Sequence, residues 1–167
     1  MGSISLSSIR SEDSETLFRW INNPEVVRFN APYRPIHWTN HNEWVRSLAS
    51  VNSKVVFAIR ASDRLVGVLQ LIDVDPIHRS AELTIRLGSE ADRGRGYGTE
   101  ALKLAVDYAW RDLNLHRVWL RVFQNNGRAI QAYKNAGFQE EGLMREAAYI
   151  DGSYVGMIVM GVLRPKS

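Results

Sequence analysis

The sequence contains no cysteine. That removes a disulfide framework, thiolate metal ligands and a cysteine acyl-enzyme together. No apolar run approaches twenty residues, so no membrane-spanning helix is expected. No charged-then-apolar leader opens the chain, and a cytoplasmic setting is the expectation. The 21 Lys and Arg against 18 Asp and Glu give a net charge of only +3. These charges are scattered, and no aromatic-basic cluster marks a nucleic-acid module. Histidine is scarce as well, and His37 and His41 do not make metal-ligand spacing, so no metal is expected.

What is present suits one compact domain over 1–167. With 167 residues, 45% of them hydrophobic, the chain is long enough for a real core and short for two domains. Alternation over Ile4 to Ile9 predicts a short strand. A helix follows from Ser11 or Asp13, with Leu17, Trp20 and Ile21 inward, and Pro24 stops it near Asn23. Pro32 and Pro35 mark Phe29 to Trp38 as an irregular loop. Asn40 with Glu43 reads as a capping box opening a helix through Trp44 and Leu48. Val55 to Arg60 and Leu65 to Val74 form a hairpin around Ser62-Asp63, and His78 to Leu87 is a third strand.

Helical spacing of Leu102, Ala105, Val106, Ala109 and Leu113 then predicts a helix from Thr99, with Asp107 and Arg111 an exposed pair. His116 to Phe123 is a strand, Asn126 to Ala136 a helix, and Gly137 its stop. Two final strands meet at Asp151-Gly152. The fold class is α/β (α+β), with about seven strands and about four helices.

Two glycine-punctuated signatures carry the chemistry. Arg93-Gly94-Arg95-Gly96-Tyr97-Gly98 lies between a strand and a helix. Such a turn points several backbone N–H groups at one spot, where the helix dipole adds partial positive charge. Glycines let the backbone approach phosphate oxygens, and Arg93 and Arg95 add charge-assisted contacts. The alternative is a tight turn whose glycines serve only its dihedrals. A Walker A loop is excluded because no lysine stands between Gly98 and Thr99, and the spacing differs from a dinucleotide fingerprint. The second signature is Asn126-Gly127-Arg128-Ala129-Ile130, then Tyr133, then Gly137-Phe138.

As an ordered pair these signatures resemble the acyl-CoA-binding core of the GNAT superfamily of N-acetyltransferases. The resemblance covers roughly Val55 to Leu163 and is closest to the branch of ribosomal-protein and spermidine N-acetyltransferases. It implies one domain with a mixed, mostly antiparallel sheet, a cofactor core at about 79–138 and acceptor elements mostly at 10–50. It further implies acetyl-CoA as co-substrate, held by Arg93, Gly94, Arg95, Gly96, Tyr97, Gly98 and Thr99 at its pyrophosphate. A bulged strand at Thr84 to Leu87 would pair its arm through Ile85, Arg86 and Leu87, and Asn126 and Arg128 would complete the contacts. Tyr133 matches the general acid of the family, against the alternative that it only packs in the core. A homodimer is the habit of such proteins.

Acetyl transfer to an amine needs a neutral amine, a stabilised oxyanion and a protonated leaving thiolate. Without cysteine, direct attack in a ternary complex is expected. In one branch a glutamate on the strand before Asn126 is the base, but Arg121 occupies that position here. Glu82 is the better candidate, with His78, His116 and a water-filled channel as alternatives. An ion pair of Glu82 with Arg79 or Arg86 is the competing reading. Trp20, Trp38 and Trp44 either line the acceptor pocket or fill the core.

The acceptor is a small amine, such as an amino sugar or polyamine, or else a peptide N-terminus. Phe18 to Val26 is similar to a segment of enzymes acetylating nucleotide-linked amino sugars, whereas Glu12, Asp13, Glu15, Glu25 and Glu43 form no cluster for a polyamine. A non-catalytic acyl-CoA sensor is the remaining alternative.

Overall fold

The computed structural model describes residues 3–50 and 53–166. In chain order the elements are β1 (Ile4–Ser7), α1 (Ser14–Ile21), α2 (Pro24–Val27), α3 (Trp38–Ser47), β2 (Val55–Ala61), β3 (Arg64–Asp75), β4 (Ser80–Leu87), α4 (Tyr97–Arg111), β5 (Arg117–Phe123), α5 (Gly127–Asn135), β6 (Gln139–Ile150) and β7 (Ser153–Leu163). Single 3-10 turns precede α1 at Ser11–Asp13 and α4 at Glu90–Asp92.

All seven strands join one sheet in the order β1-β2-β3-β4-β5-β7-β6. Every ladder is antiparallel except β4 with β5, which run parallel for three pairs, the last being Glu82 with Trp119. Beyond that pair the two strands part, which leaves one edge of β4 open in the middle of the sheet.

Strand alternation sorts the two faces. Ile59, Leu69, Leu71, Leu83, Val118 and Leu120 form the core, covered by Ala101, Leu102, Ala105 and Ala109 of α4 and by Tyr133 of α5. Each fully buried leucine in this layer contributes roughly 2–3 kcal/mol by leaving water. The opposite face carries α1. There Arg60 donates two hydrogen bonds to Asp13, 3.2 and 2.7 Å, and both side chains are only 4% exposed.

Several boundaries differ from the sequence reading. Residues 24–27 form α2, because Pro24 not only stops α1 but suits the first helical position, with Asn23 accepting from the Glu25 N–H at 3.0 Å. Helix α3 starts at Trp38, with His37 as its cap, so Asn40 and Glu43 lie inside it. Strand β4 begins at Ser80 because Asp75 accepts from the N–H groups of Ile77 and His78, both 2.8 Å, and folds 76–79 into a turn. The bulge expected at Thr84 to Leu87 is absent from the β3–β4 ladder, which runs in register from Glu82 to Leu87. Its irregularity lies between Ile72 and Asp75, where Asp73 has φ 51°. The open edge of β4 arises from the parting of β5 instead.

Candidate active site

The open edge is chemically defined by hydrogen-bond phase. The Gly88 N–H donates to Val66 O at 3.0 Å. With the β3–β4 register, this commits both backbone groups of Arg86 to β3 and turns those of Ile85 and Leu87 the other way. Ile85 and Leu87 therefore offer donors and acceptors to an extended ligand arm, while Arg86 offers none from its backbone. One of these groups is already engaged. Asn30 Nδ2, from the loop after α2, donates to Ile85 O at 3.4 Å.

At the end of β4 the chain enters the glycine turn. Gly94 and Gly96 have φ of 74° and 82°, and Gly96 caps α4 in the left-handed conformation without any side-chain cap. A Cβ at either would meet nothing within 4 Å, so their need for glycine is one of backbone dihedral. Gly98 has no such dihedral, and its Cβ would only touch Leu87 at 4.0 Å. The first N–H groups of this fifteen-residue helix face outward beside the turn, an arrangement that binds anions.

One ion pair, one side-chain-to-backbone hydrogen bond and a ring fix this turn. Arg64 holds Asp92 through two bonds of 3.0 and 2.7 Å, which depresses the Asp92 pKa. Arg95 Nε donates to Ala91 O at 2.7 Å, so its side chain braces the turn from within. The Phe29 ring lies between two guanidinium groups, Arg28 at 4.9 Å and Arg93 at 5.3 Å. Burial lowers the Arg93 pKa, and the charges of Arg128 and Arg28 push the same way. Cations held this close are what a polyphosphate neutralises. The sequence reading placed Arg93 and Arg128 here; Arg28 and Phe29 lie outside both signatures and escaped it.

Across the gap, Asn126 caps α5, its Oδ1 accepting from the Ala129 N–H at 3.3 Å. That leaves its amide N–H groups as donors. About two turns further, Tyr133 is 7% exposed and packs edge-on against Phe138 at 6.0 Å. Burial pushes its pKa up to about 12. Arg86 Nε is the single fully enclosed side-chain nitrogen or oxygen without a partner among the described residues. The Tyr133 hydroxyl, without a hydrogen bond among the described residues, is not fully enclosed.

Glu82 stands where β4 and β5 separate. Its partner is neither Arg79, which binds Asn114, nor Arg86. Arg121 on β5 donates to it instead, Nε to Oε1 at 2.8 Å and Nη2 to Oε2 at 3.1 Å. The pair is 39 residues apart in sequence and adjacent only because the two strands run parallel. His78 and His116 are exposed at the far end of these strands. His41 is buried, with Nε2 between the hydroxyl and carbonyl oxygens of Ser14 at 3.1 and 2.9 Å, so it serves the packing of α1 on α3. Trp20 lies against Gly88, where a Cβ would strike its ring. Trp38 is exposed and Trp44 stacks beside His41.

An edge that can pair a ligand arm, a left-handed glycine turn opening a helix, and a buried tyrosine on α5 are features from which an acyl-CoA site can be built. Residues 4–139 match the acetyltransferase (GNAT) domain. The chain belongs to the GNAT acetyltransferase family. It is an N-acetyltransferase with acetyl-CoA as co-substrate. The spermidine N(1)-acetyltransferase of Escherichia coli is 29% identical over 164 residues, 97% of this chain and 87% of that protein. That of Vibrio cholerae is 37% identical over 106 residues, 64% of this chain and 61% of that protein. A crystal structure of the Vibrio cholerae spermidine N-acetyltransferase with CoA and spermine superposes with a TM-score of 0.87 at 28% identity, covering 96% of this chain and 95% of that one. Among the described residues no helix is long and apolar enough to cross a membrane.

Proposed function

We propose that the enzyme acetylates a small primary amine by direct attack in a ternary complex, with polyamines and amino sugars as the acceptor classes. The single observation that carries this is the gap between β4 and β5, flanked by Ile85 and Leu87 on one side and Tyr133 on the other. The relatives named for spermidine support a small acceptor. So does a cleft of about 260 Å3 between the α2 segment and the β6–β7 hairpin, lined by Glu25, Arg28, Pro32, Tyr33, Tyr149 and Asp151. A larger hollow of about 340 Å3 lies at Ser8–Ser11, Val45 and Lys54. It sits by the outer strands β1 and β2, away from this chemistry.

The residues divide the work. Gly94, Gly96, Thr99 and the arginines Arg93 and Arg128 hold the pyrophosphate. Ile85 and Leu87 pair the arm, and a backbone N–H of this edge stabilises charge developing on the thioester oxygen without reorganising. Glu82 takes the amine proton, directly or through water. As the C–N bond forms and the C–S bond breaks, Tyr133 gives its proton to the departing sulfur. A phenol held at about 12 stays protonated at neutral pH. The burial that raises it also raises the proton affinity of a thiolate left beside it.

The reading includes a cytoplasmic setting and no nucleic-acid or membrane partner; scattered surface charge supports the first exclusion. Its test is CoA thiol release from acetyl-CoA against pooled polyamines, amino sugars, amino acids and short peptides. Turnover in a small-amine pool is the expected result. Turnover confined to peptides would replace the small acceptor with a protein N-terminus. Tight acetyl-CoA binding with no turnover in any pool would leave a sensor.

A further inference from the structure

Arg86 is an arginine of β4 whose side chain meets no carboxylate among the described residues. It alternates with Glu82 and Thr84 on the face of β4 that carries α1, away from the α4 core. Arg60 on this face has Asp13, Arg121 has Glu82, and Arg28 has Glu25 at 3.0 Å. Among the described residues Arg86 makes no ion pair and no side-chain hydrogen bond. Its Nε is fully enclosed without a partner, whereas its terminal nitrogens, equally unbonded, keep contact with solvent. Burial lowers its pKa with no carboxylate acting in the other direction, yet a guanidinium remains charged at neutral pH.

A largely buried, unpaired charge is among the costliest arrangements a fold retains, and it is offset only by an anion. Glu82, the carboxylate on the same face of β4, has both oxygens committed to Arg121. The phosphates of the co-substrate have their own partners beyond Gly88, at the glycine turn and around Phe29. Arg86 precedes that turn, on the sheet face that carries α1, and beside it Asn30 of the α2 loop donates to Ile85 O.

Resting on the transferase reading, we propose that Arg86 selects the acceptor: a primary amine that carries an anion, carboxylate or phosphate, in the same molecule. Glu82 and Arg86 are four residues apart, roughly 13 Å between Cα atoms along a strand. Both side chains are long, so one small molecule spans amine to anion between them. An amino-sugar phosphate or an α-amino acid has this form. A polyamine brings further positive charge to a cation that already lacks a partner.

The experiment compares matched acceptors in wild type, Arg86→Met and Arg86→Lys. Glucosamine 6-phosphate is set against glucosamine, and leucine against leucinamide, which separates the phosphate from the carboxylate source. The readout is the anionic-to-neutral ratio of kcat/KM. The wild-type ratio for at least one pair is expected to exceed that of Arg86→Met by about tenfold or more, the worth of one charge-assisted contact. Arg86→Lys retains part of it, and in either variant kcat/KM falls less for the neutral member than for the anionic one.

Equal loss for both members would make Arg86 structural and overturn the proposal. So would a ratio unchanged by Arg86→Met, or spermidine turned over better than every anionic amine with no effect of the substitution. If no amine is turned over, the transferase reading fails separately. Arg86 is then judged by melting temperature with acetyl-CoA present. A rise with glucosamine 6-phosphate in wild type but not in Arg86→Met upholds the assignment, and equal rises overturn it.

Discussion

The carboxylate of Glu82 and the guanidinium of Arg121 face each other across the point where β4 and β5 separate, joined by bonds of 2.8 and 3.1 Å. Glu82 is 7% exposed at its side chain and Arg121 is 41% exposed. Arginine thus holds the buried carboxylate from the wet side. Replacing Glu82 by Gln is expected to lower kcat/KM by roughly 10²–10⁴ and to remove a limb of the pH–rate profile. Arg121→Met, which frees the same carboxylate, costs much less. Equal losses in both variants, with an unchanged profile, would reduce the pair to structure.

Tyr133→Phe keeps the ring against Phe138 and the α4 core, so the melting temperature is expected to move by only a few degrees. The chemical step loses its proton donor, and kcat falls by roughly 10²–10⁴ while acetyl-CoA still binds. The pKa also sets a stability window. Burial raises it from 10.0 to about 12, so the folded chain binds more protons than the unfolded one between these values. Stability is therefore full below pH 10 and declines as pH rises to about 12. Denaturant midpoints across that window check the sign, and Tyr133→Phe flattens the decline.

The glycines of the turn separate into two kinds. Gly96→Ala forces a Cβ onto φ 82° and costs about 1–2 kcal/mol, with weaker acetyl-CoA binding as a consequence. Gly98→Ala sits in ordinary helical backbone with room for a methyl group, and gains about 0.5–1 kcal/mol of stability. Yet it places that methyl beside the first helical N–H groups, the proposed seat of the pyrophosphate. A protein that melts higher while binding acetyl-CoA at least several-fold more weakly is the expected outcome. Unchanged binding would mean that Gly98 faces away from the ligand.

Asp92 is buried whereas its partner Arg64 is 60% exposed at the side chain. Asp92→Ala therefore leaves a cation that water can solvate, and the stability loss stays near about 1 kcal/mol. The larger effect falls on the turn that Asp92 anchors, read as a raised KM for acetyl-CoA. Because Arg64 lowers the Asp92 pKa, the contribution of this pair is present above the usual carboxylate range. It is lost as pH falls through the depressed value.

Asp13 and Arg60 are the contrasting case. Both are sealed at 4% exposure, so Asp13→Ala strands a charge between β2 and α1. A loss of about 3–5 kcal/mol follows, which thermal unfolding would register as a large drop.

What the sequence made legible was local. The glycine turn, the Asn126 cap, the Gly137 stop at φ 95° and the Asp151-Gly152 turn with both φ positive are each set by neighbours within a few residues. The start of α3 was misplaced because the Asn40–Glu43 spacing satisfies a capping rule that His37 pre-empts one turn earlier. Helix α2 was hidden because Pro24 can end one helix and begin another. Glu82 found Arg121 across 39 residues, and Asp13 found Arg60 across 47. Pairings at that range depend on strand order, which no periodicity encodes. Arg28 and Phe29 belong to the site only through the packing of the α2 loop on the turn.

The parting of β4 from β5 also has a mechanical consequence. Three residue pairs are all that stitch β1–β4 to β5, β7 and β6 through the sheet itself. An arm that pairs with Ile85 and Leu87 acts as a short missing strand, and it must first take the Ile85 carbonyl from Asn30. Loading the enzyme thus closes a seam and releases a tether in one movement. An arm that takes this carbonyl leaves Asn30 without its partner, so pairing of the edge by the co-substrate and the hold of the α2 loop on β4 exclude each other.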